Sequence, residues 1–268
     1  MTGRPAPVDA RAFEFAGVLD AAVLCLHGLT GTPYEVRSIG EACARRGISA
    51  FGPALPGHGE TPQALHGVRS WRTWLDAVRV HAQGLRRRHL RVFAAGLSMG
   101  GLLALALATE DLFDALVVVG TPLRLPFGIR LAVPLLWRLR PFQPKSGGSD
   151  IQDAAARARH PSYSMLPLRS VNELIKLQRW VRARLAQVRS PILVAHGALD
   201  QTARSADARE ILEGVGSQER EFLLCNASGH VVPVDVDGPL LAEAAASFLL
   251  RHVAITEIAA PSTLRTTR

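Results

Sequence analysis

The sequence predicts an α/β protein with one mostly parallel sheet covered by helices on both faces. Three observations carry that expectation. Short apolar runs rich in Val, Leu and Ala recur along the 268 residues without the apolar–polar alternation of a half-exposed strand. Longer segments with helical spacing separate them. The composition, 48% hydrophobic and 20% charged, is enough to bury one sizeable core.

Ala21–Leu26 is the first clear strand and ends at His27-Gly28. Residues 35–46 read as a helix stopped by Gly47. Residues 48–51 form a short strand that runs into the Pro/Gly-rich stretch 52–59. Within 70–88, Trp71, Trp74, Leu75, Val78, Ala82 and Leu85 share one helical face, and Ser70 is placed to cap it. Residues 91–97 form a strand, and 98–108 a helix of small residues. Further strands are expected at 115–119, 191–195 and 221–225, with a helix over 203–214 between the last two. Residues 240–250 close the pattern at helical spacing. The stretch 121–166 interrupts this rhythm with six prolines, a loop-like run over 145–150 and a short helix candidate over 151–159. It is expected to be an insertion within a single domain spanning 1–268. The polar stretch 255–268 is expected to be a flexible tail.

Several classes are excluded by composition. Disorder does not fit 48% apolar residues, and a disulfide scaffold does not fit three cysteines. Cys25, Cys43 and Cys225 lack CxxC spacing, which points to buried free thiols, a reducing compartment and a cytoplasmic location. No apolar run reaches the roughly 18–20 residues of a membrane span, and the N-terminus lacks the apolar core of a secretory signal. The net charge of +8 rests on scattered arginines, Lys145 and Lys176 being the only lysines. This reads as a solvated surface and not as a nucleic-acid site; weak contact with an anionic lipid interface is the alternative. Zinc-ligand spacing, a dinucleotide fingerprint and a Walker-A loop are all missing, so neither metal nor organic cofactor is expected.

The strongest chemical signal is Gly96-Leu97-Ser98-Met99-Gly100, a G-x-S-x-G run between an expected strand and an expected helix. A serine on so sharp a turn needs neighbours without side chains, and its hydroxyl then stands at the N-terminus of the helix that follows. A serine hydroxyl is a weak nucleophile and needs an imidazole base oriented by a carboxylate. In this topology the acid and then the histidine follow the serine. His230, in the polar loop after the strand 221–225, is the expected base, ahead of His160, His196 and His252. Asp200, just past the strand 191–195, is the expected acid, ahead of Asp207. It is also placed to cap the helix that follows. The oxyanion of a tetrahedral intermediate needs preset amides. Met99 supplies one, and Leu29, in His27-Gly28-Leu29-Thr30-Gly31, supplies the other. His27 is expected to be a structural hydrogen-bonding residue beneath that loop.

In order along the chain stand His27-Gly28-Leu29-Thr30-Gly31-Thr32-Pro33, Leu55-Pro56-Gly57-His58-Gly59, Gly96–Gly101, His196-Gly197-Ala198-Leu199-Asp200 and Gly229-His230. From about Ala21 to Leu250 this resembles the bacterial monoacylglycerol lipase and carboxylesterase branch of the α/β-hydrolases. The resemblance implies an α/β-hydrolase fold and a serine esterase working through an acyl-enzyme on Ser98. It implies that 121–166 is a lid over an acyl pocket, with Leu29, Thr30, Leu125 and Phe127 as substrate contacts. Two positions depart from the family pattern. Gln201-Thr202-Ala203-Arg204 stands where relatives often carry Val and Pro, and Leu29 stands where they are often aromatic. Acyl transfer, thioester cleavage and peptide hydrolysis use the same triad and remain open. A non-catalytic binding protein would lack a triad member.

Overall fold

The computed structural model describes residues 8–145 and 147–253. The expected tail at 255–268 lies outside the described residues. In chain order the elements are β1 (Phe13–Phe15), β2 (Ala21–Leu26), α1 (Arg37–Arg45), β3 (Ser49–Gly52), α2 (Pro62–Gly67), α3 (Trp71–Arg86), β4 (Arg91–Leu97), α4 (Met99–Ala108) and β5 (Leu116–Val119). Then come α5 (Phe127–Leu136), β6 (Phe142–Pro144), α6 (Ala154–Arg159), β7 (Met165–Pro167), α7 (Leu168–Arg182), β8 (Ile192–Gly197), α8 (Ser205–Gly214), β9 (Arg220–Cys225) and α9 (Gly238–Arg251).

A seven-stranded sheet has the order β1-β3-β2-β4-β5-β8-β9. Its pairs are parallel except for β1 against β3. Both faces of the central strands are buried, which is why those strands read as unbroken apolar runs. Leu24 and Leu26 of β2, Ala94 of β4 and Val118 of β5 face a layer containing α3, α4, α7 and α8. Val23, Phe93, Val117 and Ala195 face the opposite layer, built from α1 and α9. Trp71, Trp74, Leu75, Val78, Ala82 and Leu85 are the buried face of α3, and the Ser70 side chain accepts a hydrogen bond from the Arg72 amide. Every residue of α4 is buried, because the helix lies between the sheet and α3 and α7. Small residues let it sit there.

Three elements depart from the sequence expectation. The three-residue β1 is too short to leave a pattern. The helix α2 begins at Pro62 behind a Thr61 cap, just after the Pro/Gly-rich stretch 52–59, and its six residues are too few to show a period. The long helix α7 buries Leu168, Val171, Leu174, Ile175, Leu177 and Val181 at helical spacing, but also Ser170, Asn172, Glu173 and Gln178. With polar residues on its buried side as well as at the exposed Lys176 and Arg179, its period does not stand out. Ser170 donates to Leu65 O at 3.1 Å, Glu173 accepts from the Trp71 amide at 3.2 Å, and the Gln178 amide nitrogen donates to Pro122 O at 2.9 Å, while its oxygen is left without a partner among the described residues.

The stretch after β5 is also more ordered than its prolines suggest. It holds α5, the antiparallel pair β6–β7, and α6. Pro134 lies inside α5, where its missing N–H leaves the Arg130 carbonyl without a helical partner. Arg124, at the start of this excursion, pairs with Glu210 of α8, which also accepts from Arg182 of α7 at 3.0 Å.

Leu177 of α7 is fully buried, whereas Leu139, beyond α5, is 84% exposed. Leu177→Ala is therefore expected to lower the unfolding free energy by about 2–5 kcal/mol. Leu139→Ala should change it by less than about 0.5 kcal/mol. Urea melts of the two variants beside wild type measure both.

Candidate active site

The parallel strands place their loops at one edge of the sheet: 27–31 after β2, Ser98 after β4, Gly120 after β5, Asp200 after β8 and His230 after β9. Ligands collect at this edge in open α/β sheets.

Ser98 stands at φ 54°, ψ −113°, a conformation that a side chain normally avoids. Its amide donates to Val119 O at 2.8 Å, which pins the turn to β5. The turn is possible only because α4 leaves close against the sheet. A Cβ on Gly100 would lie 2.1 Å from Leu26 O, and one on Gly96 2.4 Å from the Gly100 carbonyl. Met99 is the first residue of α4, so its amide is among those a helix leaves without an internal partner.

The loop after β2 is pinned along two successive peptides. The Gly28 amide donates to Glu35 Oε2 at 2.8 Å. The Gly28 carbonyl takes hydrogen bonds from His27 Nδ1 at 2.9 Å and from the Gly31 amide at 3.2 Å. That carbonyl shares a trans peptide plane with the Leu29 N–H, which must point the opposite way. The Leu29 amide has no backbone partner among the described residues. His27 Nε2 accepts from the Leu55 amide at 3.1 Å, and burial pushes the pKa of this histidine down. It is a neutral brace beneath the loop.

Asp200 has a fully buried side chain. Its Oδ1 accepts from the amides of Thr202 (2.8 Å) and Ala203 (2.7 Å), and its Oδ2 faces His230 Nδ1 at 2.9 Å. One oxygen holds the loop and the other meets the imidazole, so the structural and chemical readings of this residue hold together. Burial works against its charge, yet the His230 hydrogen bond and the two amides keep the carboxyl below its ordinary range. Facing a carboxylate, His230 Nδ1 carries the proton, and Nε2 is left free to accept one. Burial also opposes a charged imidazole. The hydrogen bond to Asp200 and its charge, with Asp150 and Glu35 behind, outweigh burial and raise the His230 pKa. Gly120, at φ 50°, gives this pair room: a Cβ there would lie 3.2 Å from His230 Nδ1 and 3.4 Å from Asp200 Oδ2.

Ser98 and His230 are walls of one cavity of about 820 Å³, within the usual range of small-molecule sites. Among the described residues no hydrogen bond joins the Ser98 hydroxyl to the imidazole; such bonds often tighten only once substrate is bound. Leu29, Thr30 and Leu125 line the cavity together with Ile129, Val133 and Leu136 of α5. Phe127 does not: it is 71% exposed on the outer side of α5, and the inward face begins with Gly128 and Ile129. Its expected contact is corrected by the helix itself, which turns Phe127 away from Ile129 and Val133.

Other polar residues act here without having been singled out for it. Asp207 accepts from the amides of Leu123 (3.2 Å) and Arg124 (3.4 Å), anchoring the excursion after β5 and standing away from His230. Asp150 accepts from the Gln201 amide at 2.8 Å and Thr202 Oγ1 at 3.1 Å, while its carbonyl accepts from the Val231 amide at 3.2 Å. Asp235 accepts from the amides of Gln152, Asp153 and Gly229, each at 2.8 Å. Together they join the excursion to the loops carrying Asp200 and His230. Apart from Thr202 Oγ1, the partners named are backbone amides, which leave no trace in sequence. The buried pair of Glu35 and His160 was likewise invisible; 125 positions separate its members.

A parallel sheet with a strained serine turn after its central strand is the frame of the α/β-hydrolases, and this chain has that fold. It belongs to the family described as serine aminopeptidase, S33, whose profile matches residues 17–237. It is 29% identical over 236 residues to the thermostable monoacylglycerol lipase of Bacillus sp. (strain H-257), covering 86% of this chain and 90% of that one. It is 25% identical over 244 residues to a carboxylesterase of Bacillus subtilis (strain 168), covering 90% and 97%. Among solved structures, one from work on LipS and LipT, two metagenome-derived lipolytic enzymes, matches with a TM-score of 0.85 at 27% identity. That match covers 92% of this chain and 99% of the other.

Since the His230 pKa is raised above 6.5 and a base must be unprotonated, kcat/KM is expected to fall with acid through a midpoint above 6.5. In Ser98→Ala protein the His230 ring should titrate above 6.5 by NMR, and adding Asp200→Asn should lower that midpoint. An unmoved midpoint in the double variant would refute the cause assigned here.

Proposed function

We propose that the chain hydrolyses carboxylic esters, monoacylglycerols among them, with Ser98 as nucleophile, His230 as base and Asp200 as its orienting acid. The observation that carries this reading is the 2.9 Å contact between His230 Nδ1 and the buried Asp200 carboxylate, in the same cavity as a serine at φ 54°. Ser98 Oγ attacks the ester carbonyl while His230 Nε2 takes its proton. The carbonyl oxygen gains negative charge between the amides of Leu29 and Met99. Collapse breaks the bond to the alcohol, which leaves with the proton from His230. Water, deprotonated by the same ring, then cleaves the acyl-enzyme to a carboxylic acid and restores Ser98.

The cavity supports an acyl substrate. Its wall from Leu125 through Leu136 is apolar, and residues 121–166 act as a lid that encloses the chain. Cleavage of an N-terminal peptide bond calls for a free anion to receive the substrate ammonium. Two carboxylates line the cavity: Glu35 is engaged by Gly28 and His160, and Asp150 by Gln201 and Thr202. The outer side of α5 carries Phe127, Leu131 and Leu135 exposed, with Arg130 and Arg138 on the same segment, which suits contact with an anionic lipid aggregate. No helix among the described residues is long and apolar enough to cross a membrane. The cysteines at 25, 43 and 225 are buried and unpaired, which suits a reducing compartment such as the cytoplasm.

A panel of p-nitrophenyl esters of increasing acyl length, monoacylglycerols and aminoacyl p-nitroanilides tests the reading. Ester turnover should far exceed anilide turnover, and Ser98→Ala should lose roughly 10⁴-fold or more in kcat. Dominant anilide cleavage, or turnover surviving Ser98→Ala, would refute it. Leu131→Ser/Leu135→Ser should weaken sedimentation with anionic vesicles while hydrolysis of a soluble butyrate ester stays within about twofold of wild type, since both side chains face solvent.

A further inference from the structure

We propose that Glu35 is a positioning residue for ester cleavage: its carboxylate clamps the loop that presents the Leu29 amide, and His160 of the excursion after β5 holds that carboxylate in place. The inference rests on the reading above, in which Leu29 supplies an oxyanion donor.

Glu35 lies in the short 3₁₀ turn Pro33–Val36, and its side chain is 5% exposed. Burying a carboxylate is costly unless its oxygens are matched. Here both are: Oε2 accepts from the Gly28 amide at 2.8 Å, and Oε1 meets His160 Nε2 at 3.0 Å. His160 has its second nitrogen, Nδ1, 2.7 Å from Ser149 Oγ. With a neutral ring, the proton arrangement that satisfies every atom is Ser149 O–H to Nδ1, Nε2–H to Glu35, and the Gly28 amide to Glu35. Ser149 and His160 both belong to the excursion, and Gly28 to the loop after β2. The carboxylate is thus a joint between the two parts of the chain, beside the 3.4 Å contact of Thr30 Oγ1 with Ser162 Oγ.

The loop is shaped to that carboxylate. A Cβ on Gly31 would lie 2.1–2.3 Å from the Glu35 carboxyl atoms, so the backbone passes where only glycine fits. Thr30, between Leu29 and Gly31, stands at φ 67°, strained for a threonine and in need of support from outside. Leu29 therefore sits between a clamped amide and a strained turn. Burial pushes the Glu35 pKa up. The hydrogen bonds from His160 and the Gly28 amide outweigh it and keep the carboxyl below its ordinary range, ionised at neutral pH.

A positioning role and a purely electrostatic one predict opposite orders among conservative variants. Glu35→Gln keeps the reach: its carbonyl can accept from Gly28 and its NH₂ can donate to His160 in the other tautomer. Glu35→Asp keeps the charge but withdraws it by one methylene. On a soluble p-nitrophenyl butyrate, Glu35→Asp and Glu35→Ala are expected to lose roughly 10- to 100-fold in kcat, with KM within about twofold. Glu35→Gln should lose no more than about threefold. His160→Ala should lose less than Glu35→Ala, and Glu35→Ala/His160→Ala no more than Glu35→Ala alone, because the two act through one joint. Thermal melts by circular dichroism establish that each variant is folded; Glu35→Asp and Glu35→Gln decide the matter even where Glu35→Ala does not fold. Wild-type kcat in Glu35→Asp, a Glu35→Gln loss as large as that of Glu35→Ala, or losses that multiply in the double variant would overturn the inference. Ser98→Ala is run alongside. If it stays active, the underlying reading fails; if it is inactive while Glu35→Asp is normal, only the clamp fails.

Discussion

The backbone of Ser98 is held in a conformation that costs on the order of 1–3 kcal/mol, and much of the structure serves to keep it there. The amide is bound to β5, and glycines at 96 and 100 let α4 begin almost against the carbonyl of Leu26. That close departure in turn requires α4 to run buried on all sides. Hence its run of Leu and Ala, and hence the packing of α3 and α7 over it. A turn of one residue thereby sets the composition of a helix and the order of a layer. The same turn presents the start of that helix, with its unpaired amides and positive dipole end, to the space where an oxyanion would form.

Around this turn the loops are organised by carboxylates that accept from backbone amides. Asp200 holds its own loop with one oxygen and His230 with the other. Asp150 and Asp235 tie the excursion after β5 to the loops of Asp200 and His230, Asp207 ties its beginning to α8, and Glu35 ties it to the loop of Leu29. A charge-assisted hydrogen bond from amide to carboxylate is short and directional, so a few of them fix loops that apolar contact alone would leave loose. The excursion is therefore polar where it meets the sheet edge and apolar where α5 faces the cavity.

What could be read in the sequence was whatever a local period or a short motif records. The strands buried on both faces, the amphipathic α3 with its Ser70 cap and the glycine pattern around Ser98 are local facts, and they place the sheet, its helices and the serine. Chain order then points to Asp200 and His230, since each follows a strand of a parallel sheet. The helix α7 is harder to read, because Ser170, Asn172, Glu173 and Gln178 add polar residues to its buried side. Pro134 hides the helix α5 in the sequence, and without its phase nothing local tells that Phe127 faces outward.

The sequence by itself determined the class of sheet and the residues able to carry acyl chemistry, because periodicity and glycine placement act over a few residues. Only the tertiary structure decided how those residues are held. The partners of Glu35, Asp150 and Asp235 named above are amides, a hydroxyl and an imidazole contributed by other segments of the chain. A backbone amide is the same in every residue but proline. Its choice of acceptor is settled by which loops the fold brings together.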